Sequence, residues 1–312
     1  MNWLIKAGVQ KIISHLPQAH KINFLMQRYI TVGRHLPNDY FIPRLQCVQT
    51  HLNYYAKHSV SQIAIGEVQM LEIGTGWHPI VPLGLYLSGA NCITTIDIRE
   101  LYNHTTLGQT IEKLVQLNQK NELKTHLPSL IEERFEKLVL LAKDLKTMAP
   151  KVFLKKFGII GITGDARQAL FNLDEFDLVL SDNVLQDIQV DILTQIIQNT
   201  KIYAKNNALF SHYMDCIDQF CLFDNNITPY NYLKYTEKKW KSLNNALQTQ
   251  NRMRIDFYRN LFANNAFQIV EEKLTPGNIE TLKKIKIDKE FAHIPADQLA
   301  TTRIHIVALN QK

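Results

Sequence analysis

Short apolar runs alternate with helical stripes along most of the chain. Buried strands are predicted at 67–73, 92–98, 158–163, 176–180, 208–213, 267–273 and 303–309. Helical periodicity falls between them, most clearly at 80–89, 102–156 and 188–203. Five strand–helix repeats followed by two further strands predict an α/β fold with helices packed on a sheet.

The region before the first strand has a different pattern. Residues 1–65 are helical in periodicity and contain no strong strand. We interpret them as an accessory helical layer, or a lid, ahead of one domain at 66–312. Met1 to Leu16 forms an amphipathic pattern, which can lie on a membrane surface or pack on its own domain; we favour packing. The helical stretch at 102–156 is longer than a crossover needs, so part of it is predicted to be an insertion.

Composition narrows the class of protein. The chain has 312 residues, 46% of them hydrophobic, and a net charge of +6. This mild positive charge allows anionic partners without demanding nucleic acid. The four cysteines have no Cys-x-x-Cys spacing, which is typical of reduced thiols in a cytoplasmic protein. No run of 18 apolar residues occurs, so no membrane span is expected.

A glycine turn follows the first strand. The run at 69–79 reads Gln-Met-Leu-Glu-Ile-Gly-Thr-Gly-Trp-His-Pro. Gly74 and Gly76 permit backbone angles that other residues avoid, at the strand end where open α/β sheets bind ligands. Pro79 stands where a dinucleotide turn has a third glycine, which argues against a pyrophosphate site and an NAD enzyme. The carboxylate of Glu72 suits a cationic ligand instead.

This glycine turn resembles motif I of the class I S-adenosylmethionine-dependent methyltransferases, Glu-x-Gly-x-Gly. The resemblance implies a Rossmann-like seven-stranded methyltransferase sheet over about 66–310. It implies S-adenosyl-L-methionine as cofactor and S-adenosyl-L-homocysteine as product. Glu72, Gly74, Thr75 and Gly76 would surround the methionine end. The chain departs from the family's pattern at 77–78, where a third glycine is common.

Further polar residues follow the next strands. Asp97 lies 21 residues beyond Gly76, at the tip of the second strand, where a carboxylate can accept hydrogen bonds from both ribose hydroxyls. This arrangement is shared by NAD enzymes and methyltransferases. The resemblance assigns the adenine amino group to Asp165, beside Ala166. It also assigns Ser181 and Asn183, after the fourth strand, to the cofactor site.

Methyl transfer needs alignment and usually a base beside the cofactor sulfur. His212, at the end of the fifth strand, is the first candidate, with Asp215 to orient it. His78 on the glycine loop is the second. A histidine that is simply buried and hydrogen-bonded is the alternative for His212. Together with Asp218 and Asp224, His212 and Asp215 would offer mixed ligands for a divalent cation, but their spacing matches no known signature, so no metal is predicted.

The segment at 219–265 follows the fifth strand, where the resemblance places a cap over the acceptor. Arg252, Arg254 and Tyr230 are predicted to bind an anionic acceptor group there. An amphipathic helical cap with a solvated basic face is the alternative, and the pattern favours it slightly.

The sequence restricts the acceptor mainly by arguing against two classes of DNA methyltransferase. The run at 181–184, Ser-Asp-Asn-Val, lacks the Pro-Pro-Tyr of DNA base-amino methyltransferases and the Pro-Cys of cytosine-carbon enzymes. We therefore expect a small-molecule, sugar-containing or modified-peptide acceptor, as in methyltransferases of bacterial biosynthetic pathways. A protein or RNA methyltransferase and a non-catalytic adenosine-binding or partner-binding module stay open, as does the oligomeric state.

Overall fold

The computed structural model describes residues 2–17, 19, 36–61, 63–168, 171–172 and 175–312. Residues 18, 20–35 and 62 of the predicted helical layer lie outside the described residues. The strands are β1 (Gln69–Ile73), β2 (Cys92–Asp97), β3 (Ile159–Thr163), β4 (Phe176–Asp182), β5 (Ala204–Asp215), β6 (Phe267–Thr275) and β7 (Arg303–Asn310).

Helices precede, separate and follow these strands. Within the described residues they are α1 (Trp3–Ile13), α2 (Asn38–His58), α3 (Ile80–Leu87), α4 (His104–Gln119), α5 (Leu123–His126), α6 (Glu132–Ala142), α7 (Pro150–Lys155), α8 (Val190–Tyr203), α9 (Glu237–Leu243), α10 (Ile255–Asn264), α11 (Ile279–Lys283) and α12 (Ala296–Leu299). All seven strands predicted from the sequence are present in the structure, so that prediction is confirmed. The largest difference is in β5, which begins four residues earlier than expected.

The seven strands form one sheet in the order β3-β2-β1-β4-β5-β7-β6. The first five are parallel, and β7 runs antiparallel between β5 and β6. The Rossmann-like seven-stranded fold class is confirmed by this order. Because the strand order reverses between β1 and β4, a crevice opens at their carboxyl ends, and such crevices bind ligands in open α/β sheets.

Helix α2 is part of the main core. Phe41, Leu45 and Val48 are fully buried and share one hydrophobic cluster with Leu178 of β4 and Leu209 of β5. Helices α8 and α10 cover the opposite face of the sheet in a second cluster. The sequence predicted a helical layer at 1–65, and the structure places its second helix directly on the sheet. This position brings α2 to the edge of the crevice.

Helix α1 packs elsewhere, on the segment that follows β5. Trp3 and Ala7 belong to a third cluster with Phe220, Tyr232 and Trp240. The backbone amide of Trp3 donates to Asp224 Oδ2 at 3.0 Å, which fixes the start of the helix. In the described part of the chain, no helix combines the length and apolarity that crossing a bilayer requires.

Candidate active site

The glycine loop between β1 and α3 has left-handed backbone at both glycines. Gly74 has φ +90° and Gly76 has φ +67°. The amide of Gly74 donates to the carbonyl of Ile96 at 2.7 Å, which holds the loop against the end of β2. The two glycines differ in their surroundings: a Cβ on Gly74 would overlap the side chain of Val184, whereas a Cβ on Gly76 would meet nothing within 4 Å.

We expect Gly74→Ala to cost more stability than Gly76→Ala. A left-handed residue with a Cβ costs about 1–2 kcal/mol, and this applies to both variants. The overlap with Val184 adds about 1–3 kcal/mol at Gly74 only. Urea denaturation of the two variants measures the difference directly. Equal losses would contradict the close packing of Val184 on this loop.

A cavity of about 410 Å³ lies on one side of the loop. This volume is in the usual range for small-molecule pockets. Four of the predicted cofactor residues line it, namely Gly74, Asp97, Asp165 and Ala166. The structure thus brings predicted residues from the ends of three strands together at one cavity.

Asp97 is held in a fixed orientation at the tip of β2. Its Oδ2 accepts from the amide of Gly76 at 3.0 Å, and its Oδ1 accepts from the amide of Arg99 at 3.2 Å. Burial raises the pKa of Asp97 above its usual value, and these backbone hydrogen bonds oppose that shift. The carboxylate therefore links the glycine loop to β2 while still lining the cavity.

Asp165 has a partner of its own. Arg167 Nε lies 2.9 Å from Asp165 Oδ2 and 3.0 Å from Oδ1. This hydrogen bonding holds the pKa of Asp165 below its usual value. An adenine amino group at this position would share the carboxylate with Arg167.

A second, smaller cavity of about 100 Å³ lies on the other side of the loop. Its lining includes most of the remaining predicted cofactor residues and two from α2: Glu72, Thr75, Gly76, Asn183, Tyr40 and Arg44. Gly74 and Val184 line both cavities, so the two meet at the glycine loop.

Glu72 is the buried acid of this second cavity. Its side chain is buried, and Thr95 Oγ1 donates to its Oε2 at 2.5 Å. Thr75 Oγ1 lies 2.5 Å from the same threonine hydroxyl, which extends the chain of hydrogen bonds to the loop. Burial raises the pKa of Glu72 to about 8. A cation placed beside this carboxyl group would favour its ionised form.

Arg44 supplies a positive charge to the same cavity, and the sequence analysis missed it. Its guanidinium stacks 3.8 Å from the centroid of the Tyr40 ring. Burial opposes its charge, but Tyr40 and the carboxylates of Asp182 and Asp215 raise its pKa overall. No local motif marks this arginine, because its place at the crevice depends on how α2 packs on the sheet.

Asp182, the last residue of β4, also lines the second cavity and was missed. Its Oδ1 accepts from Asn183 Nδ2 at 2.8 Å, whereas its buried Oδ2 has no hydrogen-bond partner among the described residues. Burial raises its pKa to about 6, although Arg44 lowers it. The position directly after a buried strand, next to Asn183, was the signal in the sequence.

The structure places His212 away from both cavities. It is fully buried, with its ring 5.9 Å from Phe210 and 5.7 Å from Phe262, centroid to centroid. Its Nδ1 lies 2.8 Å from Ser181 Oγ, so the predicted cofactor residue Ser181 contacts the histidine and lines neither cavity. Burial lowers the pKa of His212 to about 3. This is the buried, hydrogen-bonded alternative considered above.

The other catalytic candidates lie nearer the crevice. His78 lines the second cavity, and burial lowers its pKa to about 4. Asp215 pairs with Arg303, whose Nε lies 3.2 Å from Oδ1, rather than with His212. Asp218 accepts from Asn231 at 2.9 Å. The proposed grouping of these acids with His212 does not form, and among the described residues no three His, Cys, Asp or Glu side chains are placed to hold a metal ion.

The three residues predicted to bind the acceptor are interior. The guanidinium of Arg252 donates to the Tyr235 carbonyl at 2.5 Å and to Glu237 at 2.7 Å. Arg254 donates to the carbonyls of Cys216 and Leu299 at 2.7 Å each, and the Tyr230 hydroxyl donates to the carbonyl of Ala300 at 3.1 Å. These side chains therefore tie the segment after β5 together, which differs from both interpretations made from the sequence.

Comparisons with known proteins give distant similarities only. No family model and no curated protein matches the chain. Among solved structures, it is similar to magnesium protoporphyrin IX methyltransferase from Synechocystis PCC 6803 with bound SAH, at 14% identity and a TM-score of 0.48, over 94% of this chain and 95% of that chain.

Two further solved structures illustrate the range. One is an S-adenosylmethionine dependent methyltransferase from Mesorhizobium loti, with 11% identity, a TM-score of 0.42 and coverage of 78% of this chain and 92% of that chain. The other is geranyl diphosphate C-methyltransferase from Streptomyces coelicolor A3(2), with 8% identity, a TM-score of 0.46 and coverage of 95% and 85%. At these levels the fold assignment depends on the strand order described above.

Proposed function

We propose that this chain is an S-adenosylmethionine-dependent methyltransferase. One observation carries the proposal: two cavities meet at Gly74. The larger contains a carboxylate suited to a ribose, and the smaller contains an arginine and a buried acid suited to the carboxylate and ammonium groups of an amino acid. A ligand that consists of a nucleoside joined to an amino acid would place one part in each cavity. When bound, S-adenosylmethionine supplies an electrophilic methyl group on its sulfonium.

The residues that would hold the cofactor follow from charge and position. Asp97 accepts hydrogen bonds from the ribose hydroxyls, and Asp165 with Ala166 receives the adenine. Glu72 binds the ammonium group. We add Arg44 as the partner of the carboxylate, because it is a cation that lines the same cavity as Glu72. The fit is supported by the buried Asn183 Oδ1, which has no hydrogen-bond partner within the described ranges.

Asp182 is a better candidate base than His212. It lines the smaller cavity, one of its oxygens lacks a partner in the described part of the chain, and its pKa is about 6. A base with a pKa just below neutral is ionised at neutral pH and can still accept a proton from the acceptor. His78 has a pKa of about 4 in the same cavity and is a weaker base.

We expect kcat/KM to rise with pH through about 6 and then level off, because the pH dependence of this ratio reports the pKa of the base in the free enzyme. The sign follows from the raised pKa: the carboxyl group is protonated and inactive below this value and ionised above it. Asp182→Asn should remove this ionisation and lower kcat by about 10²- to 10⁴-fold. An unchanged pH profile in the variant would assign the proton transfer to another group.

The acceptor class follows from the sequence analysis. We propose a small-molecule, sugar-containing or modified-peptide acceptor. The proposal is tested by calorimetric titration with S-adenosylmethionine, which should bind, and with NAD, which should not. Absence of binding to either would favour a non-catalytic partner-binding module.

A further inference from the structure

Helix α1 is apolar on two opposite faces. One face is buried against the segment after β5 through Trp3, Ala7 and Ile13. The other face is exposed: Ile5 and Ile12 have 63% and 70% of their surface accessible. A helix that only covers its own domain needs a single apolar stripe, so the second stripe calls for another explanation.

The exposed stripe is continuous along the helix. Ile5 and Ile12 are seven residues apart, close to two turns, and therefore point the same way. Leu4 and Val9 flank them, and Leu16 extends the stripe beyond the last helical turn. Large exposed aliphatic side chains scattered singly are normal in proteins, but a contiguous row of them marks an interaction surface.

The surroundings of this stripe are basic. No acidic residue occurs between Asn2 and Pro17. Lys11 Nζ donates to the carbonyl of Ser242 at 2.7 Å, which ties α1 to the end of α9. Helix α9 carries three exposed lysines, Lys238, Lys239 and Lys241, of which Lys241 pairs with Glu237 at 3.4 Å. An apolar stripe next to exposed cations is complementary to a lipid bilayer whose headgroups are negatively charged and whose interior is hydrocarbon.

We propose that α1, with the lysines of α9, docks the protein on the surface of an anionic lipid bilayer. The helix lies in the plane of the interface, with Ile5 and Ile12 inserted among the acyl chains. A second copy of the chain is the less suitable occupant, because two-fold pairing through α1 would bring the lysine-rich α9 helices close to each other. Anionic lipid headgroups instead neutralise them.

The surface is held rigidly by the fold, which favours docking as a preformed unit. The amide of Trp3 is bound by Asp224, and Lys6 Nζ lies 2.6 Å from the centroid of the Phe223 ring. The helix therefore does not have to fold on binding, so binding does not include the entropy cost of ordering it.

Co-sedimentation with phosphatidylcholine vesicles, with and without phosphatidylglycerol, tests the proposal. The wild-type chain should bind the vesicles that contain phosphatidylglycerol and be released by high salt, because surface charges are screened. The double variant Ile5→Glu with Ile12→Glu should lower the vesicle partition coefficient by about tenfold or more. Both side chains are exposed, so the melting temperature should stay unchanged.

A matched control uses exposed aliphatic residues on other helices. Leu140 and Val152 are 62% and 53% exposed on α6 and α7. Leu140→Glu with Val152→Glu should change the partition less than about twofold. Equal effects of the two double variants, or no binding of the wild type to the anionic vesicles, would overturn the proposal. So would a dimer in light scattering that the α1 variant dissociates, since that result assigns the face to a second copy.

Membrane docking and cofactor binding are separable in this experiment. The α1 variant should titrate S-adenosylmethionine as the wild type does, because α1 residues line neither cavity. Failure of the methyltransferase proposal would leave the vesicle result standing, and the reverse also holds.

Discussion

Replacing Asp97 by alanine is expected to weaken S-adenosylmethionine binding by about 100-fold or more. Hydrogen bonds to a charged acceptor contribute about 1.5–3 kcal/mol each, and the ribose offers two hydroxyls. The variant also removes the acceptor that holds the amide of Gly76, so the loop between β1 and α3 loses an anchor. Isothermal titration calorimetry measures the change.

Two further variants serve as controls for this measurement. Asp97→Asn keeps one acceptor oxygen and should fall between the wild type and Asp97→Ala. Asp191→Ala removes an exposed acid from the first turn of α8 and should leave the affinity within about twofold, because exposed charges contribute little. If Asp97→Ala binds as tightly as Asp191→Ala, the larger cavity does not hold a ribose.

Replacing Arg254 by methionine is expected to lower the free energy of unfolding by about 2–6 kcal/mol, because each of two buried carbonyls left without a donor costs about 1–3 kcal/mol. The guanidinium is buried and donates to the Cys216 carbonyl at 2.7 Å, to the Tyr232 hydroxyl at 2.8 Å, to the Leu299 carbonyl at 2.7 Å and to the Thr301 carbonyl. Methionine fills much of the same space but removes the donor to the Leu299 and Thr301 carbonyls, whereas the Cys216 carbonyl keeps the hydroxyl of Tyr232 at 2.8 Å. Chemical denaturation measures the loss.

Arg259 offers a matched control for this variant. It is an arginine on α10 that bonds to Glu272 at the surface, with Nε 2.8 Å from Oε2, and its side chain is 40% exposed. Arg259→Met should cost less than about 1 kcal/mol, as expected for an exposed ion pair. A stable Arg254→Met protein with a raised KM for the acceptor would instead support the role in acceptor binding that the sequence suggested.

The sheet could be predicted from the sequence because its strands are short buried runs separated by helical periodicity. The glycine loop and Asp97 could be found because their chemistry is local: turn geometry, and an acid at a strand tip. What the sequence left open is the direction of side chains. His212 lies on the same face of β5 as Phe210 and Met214, and both of these are core residues. That period-two pattern was the available signal that the histidine faces the core.

Contacts between segments that are distant in sequence could not be predicted from local sequence patterns. The oxygens that receive Arg254 include those of Leu299 and Thr301, more than forty residues further along the chain. Arg44 reaches the crevice only because α2 packs on β4 and β5, which are separated from it by the first half of the domain. A basic residue near aromatic residues therefore gave no indication of whether it faces solvent, ligand or core.

The placement of β7 between β5 and β6 has a consequence for biosynthesis. Strand β5 pairs with β7 through residues 209–215, so one of its edges stays open until Asn310 has been synthesised. Helix α2 likewise emerges from the ribosome long before β4 and β5, which it covers. Until these later strands have been made, the nascent chain exposes an apolar helix face and an open strand edge, and such surfaces are prone to aggregation.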